Sequence, residues 1–263
     1  MKRLAVAVGA SLVAAACGVP GVLVPEGDLL RDAHWRGSPA VPTVALTFDD
    51  GPNGRCTAAV LDALAAVGAP GTFFVLGTNV ATPGNEGLLG RMVREGHAIG
   101  IHGYWHGIRR LFWQDLTEDD LAATTRAIAA ALERDGVAPA PPVRFFRPPF
   151  GFLLEQTARA AGAAHVHVVE WSLSVHDWHK EFTGADIADA VLARARPGDV
   201  ILLHDGDGTN QRSAVRCVER QALADAIPLL VPALRARGLE PAPLAAVLGL
   251  SAESELTDHG SES

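Results

Sequence analysis

The feature that most constrains this chain is an alternation of short apolar runs with amphipathic stretches, sustained from residue 41 to about residue 248. Seven runs read as strands: 41–48, 71–76, 98–102, 144–147, 164–171, 199–204 and a weaker one near 239–243. Helical stretches lie between them at 57–67, 86–95, 117–134, 153–161, 185–195 and 221–237. A strand can reach a parallel neighbour only through a crossover, so this alternation predicts an α/β parallel sheet. Seven such units point to a single-domain barrel, not necessarily closed. Thr117 to Asp120 reads as a helix start, and Gly68, Gly96, Gly136, Gly162 and Gly238 stand where helices should end. At 263 residues and 48% apolar composition, the chain can bury a large core.

Charge narrows the partners. The net charge is −8, with no Lys/Arg cluster beyond Arg109-Arg110, which predicts no nucleic-acid partner and no docking on an anionic membrane. Residues 1–20 read as a signal or lipoprotein segment: Lys2 and Arg3, then "LAVAVGASLVAAA", then Cys17. The apolar stretch is too short for a transmembrane helix. "VAAAC" resembles a lipoprotein cleavage box that would lipidate Cys17, although Ala14 stands where Leu is usual. A plain secretory signal and a buried N-terminal helix are the alternatives. Either targeted reading makes an exported protein, a cell-envelope lipoprotein or a secreted one, touching a membrane only through a lipid anchor. Export also gives Cys56 and Cys217 an oxidising compartment and makes them a candidate disulfide. Residues 21–40 read as a polar linker, 41–250 as the folded domain and 251–263 as a disordered tail. A monomer is expected.

In a βα barrel, chemistry collects at the C-terminal ends of strands. The first strand runs into Asp49-Asp50, the third into His102 and His106, the fourth into Arg147 and the sixth into His204-Asp205, while Asp177-Trp178 follows the fifth. Adjacent aspartates repel, and a turn with a helix cap explains only one of them. In "HGYWH", two imidazoles four apart on a helical turn can share a metal. Two His and a carboxylate make a hydrolytic zinc arrangement. One of Asp49 and Asp50 can be that carboxylate and the other a general base, with the cation offsetting their repulsion. Arg147 would hold a nearby Asp ionised. His204 shares a strand face with Leu202 and is a candidate general acid, with Asp177 to orient it. Trp178 offers an apolar wall for a sugar ring or packs in the core.

"TFDDGP", "HGYWH", "RPPFG", "SVHDW" and "LLH" occur in that order, together with "GTFFVLG" and "EGHAIGIH". In this the chain resembles the polysaccharide deacetylase family, the chitin and peptidoglycan deacetylases of carbohydrate esterase family four. The resemblance covers residues 41–248 and implies a distorted (β/α)7 barrel. It implies Asp49 as base with Arg147 as its partner, and Asp50, His102 and His106 as ligands of Zn2+ or another divalent metal such as Co2+. It implies His204 as acid with Asp177 as its partner. Leu202 would line the acetyl pocket and the Phe150 backbone N–H would bind the oxyanion. The expected activity is hydrolysis of N-acetyl groups on an amino-sugar glycan. An O-acetyl (xylan-type) esterase and a non-catalytic glycan-binding lipoprotein are the rivals. Three positions depart from the family pattern: Gly103 in place of Ser or Thr, Ile101 in place of Asn, and Ser174 in place of Asp.

Overall fold

Every residue of strand β2 (Thr43–Asp49) after Thr43 is buried, which puts this strand inside a sheet with both faces covered. The computed structural model describes residues 33–107, 111–206 and 220–250. Its other strands are β1 (Ala33–His34), β3 (Thr72–Val75), β4 (Ala98–Ile101), β5 (Phe145–Phe146), β6 (His167–Val169), β7 (Leu173–Ser174), β8 (Val200–His204) and β9 (Glu240–Pro241). They form one sheet in the order β1-β6-β5-β4-β3-β2-β8-β7, with β9 beside β2, and every ladder is parallel. The sheet curls into a half-barrel, a distorted (β/α)7 barrel in a single domain.

The helices are α1 (Arg55–Val67), α2 (Gly77–Val80), α3 (Leu88–Arg94), α4 (Gln114–Arg134), α5 (Glu155–Ala163), α6 (Gly184–Leu192), α7 (Gln221–Ala236) and α8 (Leu244–Leu248). Strand alternation splits the apolar residues into two cores. Leu46, Phe48, Phe73, Ile101 and Leu203 face outward and pack with α1 and α7 residues such as Leu61, Leu64, Ile227 and Leu230. Ala45, Phe74, Phe145, Val169 and Val200 face inward and pack with Leu244 and Val247 of α8. The inner core is small and leaves the opposite end of the barrel to polar side chains. Gly100 is needed here, because a Cβ would lie 2.7 Å from the Phe74 ring.

The seven expected strands all occur, most of them shorter than expected. Two further strands of two residues each, β1 and β7, were not expected. β1 corrects the reading of 21–40 as linker, since Ala33 and His34 pair with Val168 and Val169. Just after it, Arg36 forms an isolated antiparallel bridge to Asp199 and a 2.6 Å ion pair with its carboxylate. The Gly37 N–H donates to Gly198 O at 2.8 Å. These contacts tie the segment after β1 to the turn that enters β8. α4 begins at Gln114 rather than Thr117, whose hydroxyl donates to the Trp113 carbonyl at 3.0 Å. Gly162 lies inside α5 rather than past its end. Residues 1–32 and 251–263, which include Cys17 and the segments expected to be a leader and a tail, lie outside the described residues, as does Cys217. Among the described residues no helix is long and apolar enough to cross a membrane.

Candidate active site

The ladder register assembles the site. Asp49 pairs with His204, and Thr47 with Leu202, so these four side chains share the inward face of neighbouring strands. Asp50 follows Asp49 and on a continuing strand would point outward. Its φ of 73° turns the chain instead, and the Asn79 side-chain amide donates to its carbonyl at 2.7 Å. This is how two adjacent aspartates come to face one place. Phe150 and His176, in the turns of "RPPFG" and "SVHDW", also have positive φ, at 63° and 56°. Such conformations cost about 1–3 kcal/mol each and persist only where surroundings impose them.

Asp50 Oδ1 lies 3.4 Å from His102 Nε2 and 3.5 Å from His106 Nε2. The three donor atoms all fall within 4.8 Å of one another. His102 does not stand on a helical turn, contrary to expectation: it directly follows β4, and residues 103–107 form an irregular loop. That loop is held by α2, whose Gly77 and Thr78 N–H groups donate to the Gly103 and Tyr104 carbonyls at 3.0 Å each. His102 Nδ1 bonds the Arg147 carbonyl at 2.8 Å, which orients the ring and leaves Nε2 facing Asp50. Asp50 Oδ1 is buried without a hydrogen-bond partner. A buried carboxylate oxygen without a donor is costly, and a cation between it and two imidazoles removes that cost. The three residues therefore fit a divalent metal.

The electrostatics agree. Burial pushes the Asp50 carboxyl up, but the close approach of His102 and the charges of His102, His204 and His106 hold it well below the usual range. Burial works against charge on His102, yet the Asp49 and Asp50 carboxylates raise it. His106 is lowered, mainly by burial.

Asp49 takes a different partner. Arg147 Nη1 donates to Asp49 Oδ1 at 2.7 Å and to the Thr47 hydroxyl at 2.9 Å. Its Nε and Nη2 donate to the Val169 and Glu170 carbonyls at 3.0 and 2.9 Å. The guanidinium also lies 4.1 Å over the Phe74 ring. Asp49 Oδ2 stays on the cluster side, 3.8 Å from His102 Nε2. Across the rim, Asp177 Oδ1 bonds His204 Nδ1 and its Oδ2 accepts from the His204 backbone N–H, both at 2.8 Å. Burial lowers the His204 pKa, but the charge and hydrogen bond of Asp177 raise it overall.

Leu202 is buried below His204. Phe150 and Trp178 are 48% and 42% exposed, so Trp178 is not a core residue. Their rings stand 4.2 Å from His106 and 4.9 Å from His204. Cys56 lies in the first turn of α1, is buried and is disulfide-bonded, while Cys217 lies outside the described residues. Gly103 has a φ of 93°, so it is a backbone requirement as well as a missing hydroxyl.

Sequence reasoning gave no role to three residues. Thr47 stands two before Asp49, hence on the same face, and its hydroxyl relays Arg147 to the Ile201 carbonyl at 2.7 Å. Asp205 is buried against the Thr57 hydroxyl, and burial together with the Asp50 charge pushes it up to about 7. Glu170, directly after β6, is wholly buried. The signal for it was a lone carboxyl in the apolar run "HVHVVEW".

Comparison with known proteins fits this geometry. Residues 36–169 match the family described as polysaccharide deacetylase. A chitooligosaccharide deacetylase of Bradyrhizobium sp. (strain ANU 289) is 37% identical over 204 residues, 77% of this chain and 89% of that protein. A solved peptidoglycan N-acetylglucosamine deacetylase, in complex with an N-oxidanyl-benzamide, superposes with a TM-score of 0.74 at 28% identity, over 88% of this chain and 99% of that one. A family 4 acetyl xylan esterase from Clostridium thermocellum, solved with a cobalt ion, gives 0.65 at 29% identity, over 80% of this chain and 93% of that one.

Proposed function

The chain belongs to the polysaccharide deacetylase family and is a hydrolase; on that premise we propose that it removes acetyl groups from N-acetylated amino-sugar polymers or oligosaccharides, of chitin or peptidoglycan type, using a divalent ion. The observation that carries this reading is the meeting, on one rim, of a three-donor cluster, a buried Asp–Arg pair and a His–Asp pair. The names of the Bradyrhizobium relative and the peptidoglycan-type neighbour support the substrate class. The cobalt in the esterase neighbour supports a metal.

Asp50, His102 and His106 are the proposed ligands. A divalent ion held there, Zn2+ or Co2+, would supply Lewis-acid chemistry. Asp49, paired with Arg147 at 2.7 Å, takes the proton of the attacking water. The Phe150 backbone N–H is the proposed donor to the oxyanion that develops. His204, kept protonated by Asp177, gives its proton to the nitrogen as the C–N bond breaks. Leu202 walls the acetyl methyl, and the exposed Trp178 ring offers a face to the sugar.

The second reading, an O-acetyl hydrolase on a xylan-type polymer, is supported by the esterase neighbour. A non-catalytic glycan-binding role leaves the intact acid, base and ligand set without a purpose. Release of acetate is to be measured over chitooligosaccharides, peptidoglycan, poly-N-acetylglucosamine and acetylxylan. The proposal expects release from the first three, abolished by chelation and restored by zinc or cobalt. Release from acetylxylan alone establishes the second reading, and zinc binding without release from any glycan establishes the third. Export, processing near Cys17 and a Cys56–Cys217 bond complete the proposal. Mass spectrometry of the cell-derived protein decides the first two, and thiol titration of the unfolded, non-reduced chain decides the last.

A further inference from the structure

Glu170 is a charged-type residue with no assigned task and an unusual position. It directly follows β6, with no exposed surface. Neither carboxylate oxygen has a hydrogen-bond partner among the described residues. Its backbone is fully engaged: the N–H donates to His34 O at 2.9 Å, and the carbonyl accepts from Arg147 Nη2 at 2.9 Å. The carboxyl end lies under the "RPPFG" turn, since a Cβ on Gly151 would stand 3.2 Å from Glu170 Oε2. Glu170 thus shares Arg147 with Asp49, through its carbonyl, while its own carboxyl makes no ion pair with that arginine.

This arrangement has one consistent charge state. An unpaired carboxylate anion buried without a donor costs far more than a neutral carboxyl in the same place. Arg147 makes four hydrogen bonds, to Asp49, Thr47 and the Val169 and Glu170 carbonyls. A guanidinium has five N–H donors, so one Nη2 hydrogen remains uncommitted among the described residues. We propose that Glu170 is a positioning residue: as the neutral acid it leaves Arg147 to Asp49, and as the anion it draws the guanidinium toward itself and loosens the base. The proposal rests on the reading of Asp49 as the base.

The charged groups acting on the Glu170 carboxyl are Arg147, beyond β5, and Asp49, at the end of β2. β1 presents the His34 backbone carbonyl, and the Pro149–Gly151 turn presents no ionisable group. Burial pushes Glu170 up to about 8, against the pull of Arg147 and with the help of the Asp49 charge. The unfolded chain gives up this proton near pH 4.3, so folded stability attributable to Glu170 falls between about pH 4 and about pH 8.

The metal-loaded wild type and Glu170→Gln are compared for acetate release from a chitooligosaccharide between about pH 6 and about pH 9, with melting temperature read at each pH. The ratio of kcat, variant over wild type, is expected near one at the acid end and about threefold to tenfold at the alkaline end, with KM unchanged because Glu170 touches no substrate. The melting temperature of the variant is expected to exceed that of the wild type increasingly as pH rises. Glu170→Leu, also uncharged, is expected to show the same rise in the kcat ratio. A ratio flat with pH, or a melting-temperature difference flat with pH, overturns the proposal. A Glu170→Gln chain that does not fold even in acid, where the native side chain is already neutral, overturns it as well. Asp49→Asn separates this from the premise: if that variant stays active, the base assignment is what fails.

Discussion

Asp49 and Arg147 meet with 3% and 0% of their side chains exposed, whereas His204 keeps 15% of its side chain exposed above a wholly buried Asp177. The half of the rim that holds Asp49, the proposed base, is built by many elements. Its arginine is fixed by β2, by the end of β6, by the Phe74 ring and by its own backbone contact to His102. The half that holds His204, the proposed acid, depends on one carboxylate, which grips both the ring and the backbone N–H of His204. The chemistry explains the contrast. A base must stay ionised out of water, which takes a permanently charged partner and several fixed acceptors to hold it. In the proposed mechanism an acid that protonates a departing amine must reach the glycan, which fits the exposed part of the His204 ring.

The sharpest way to break this contrast is at the cluster both halves serve. Asp50→Ala or His102→Ala should lose the metal and all measurable acetate release, read by metal content and activity together. Asp49→Asn should keep the metal and the fold but lose about 10²- to 10⁴-fold in kcat. Full activity in that variant would exchange the roles of the two aspartates.

His204→Ala sharpens the difference between leaving groups. Amide cleavage should fall by at least about 10²-fold, because an amine leaves poorly without a proton. Cleavage of an acetyl ester should fall much less, since an alkoxide needs the acid less. Equal losses on both substrates would remove His204 from the acid role.

Asp177→Asn should act through pH. In the native chain Asp177 raises the His204 pKa against burial, which lowers it. Without that carboxylate burial dominates, His204 loses its proton earlier, and the alkaline limb of kcat/KM moves to lower pH. The stability contributed by this pair is present below the ordinary histidine pKa and lost as pH rises through the raised one, so the variant should lose stability in acid more than in alkali. An unmoved alkaline limb would assign it to another group.

The smallest effect expected is at Gly103. Its φ of 93° makes any side chain there strained, so Gly103→Ala should cost about 1 kcal/mol or more of stability, read by denaturant unfolding. A neutral Gly103→Ala would show that the loop relaxes around the two histidines.

The linear order of residues already determined the alternation of elements, the barrel class and the strand ends that carry ionisable groups. A period-2 apolar run next to a 3.6-period one is a local pattern, and both Asp49-Asp50 and His102/His106 stand where such a run stops. Some features were settled only by the tertiary fold. β1 and β7, of two residues each, are too short to leave a periodic signal and exist because neighbouring strands present open edges. Asp50 faces the site because positive φ is imposed on it by the turn and by Asn79, which lies 29 residues away in sequence. Glu170 reads as one acid in an apolar run, and its importance comes from Arg147, contributed by another strand. Propensity and pattern are local properties, whereas register, burial and shared charge belong to residues distant in sequence, and it is these that set the chemistry of each side chain.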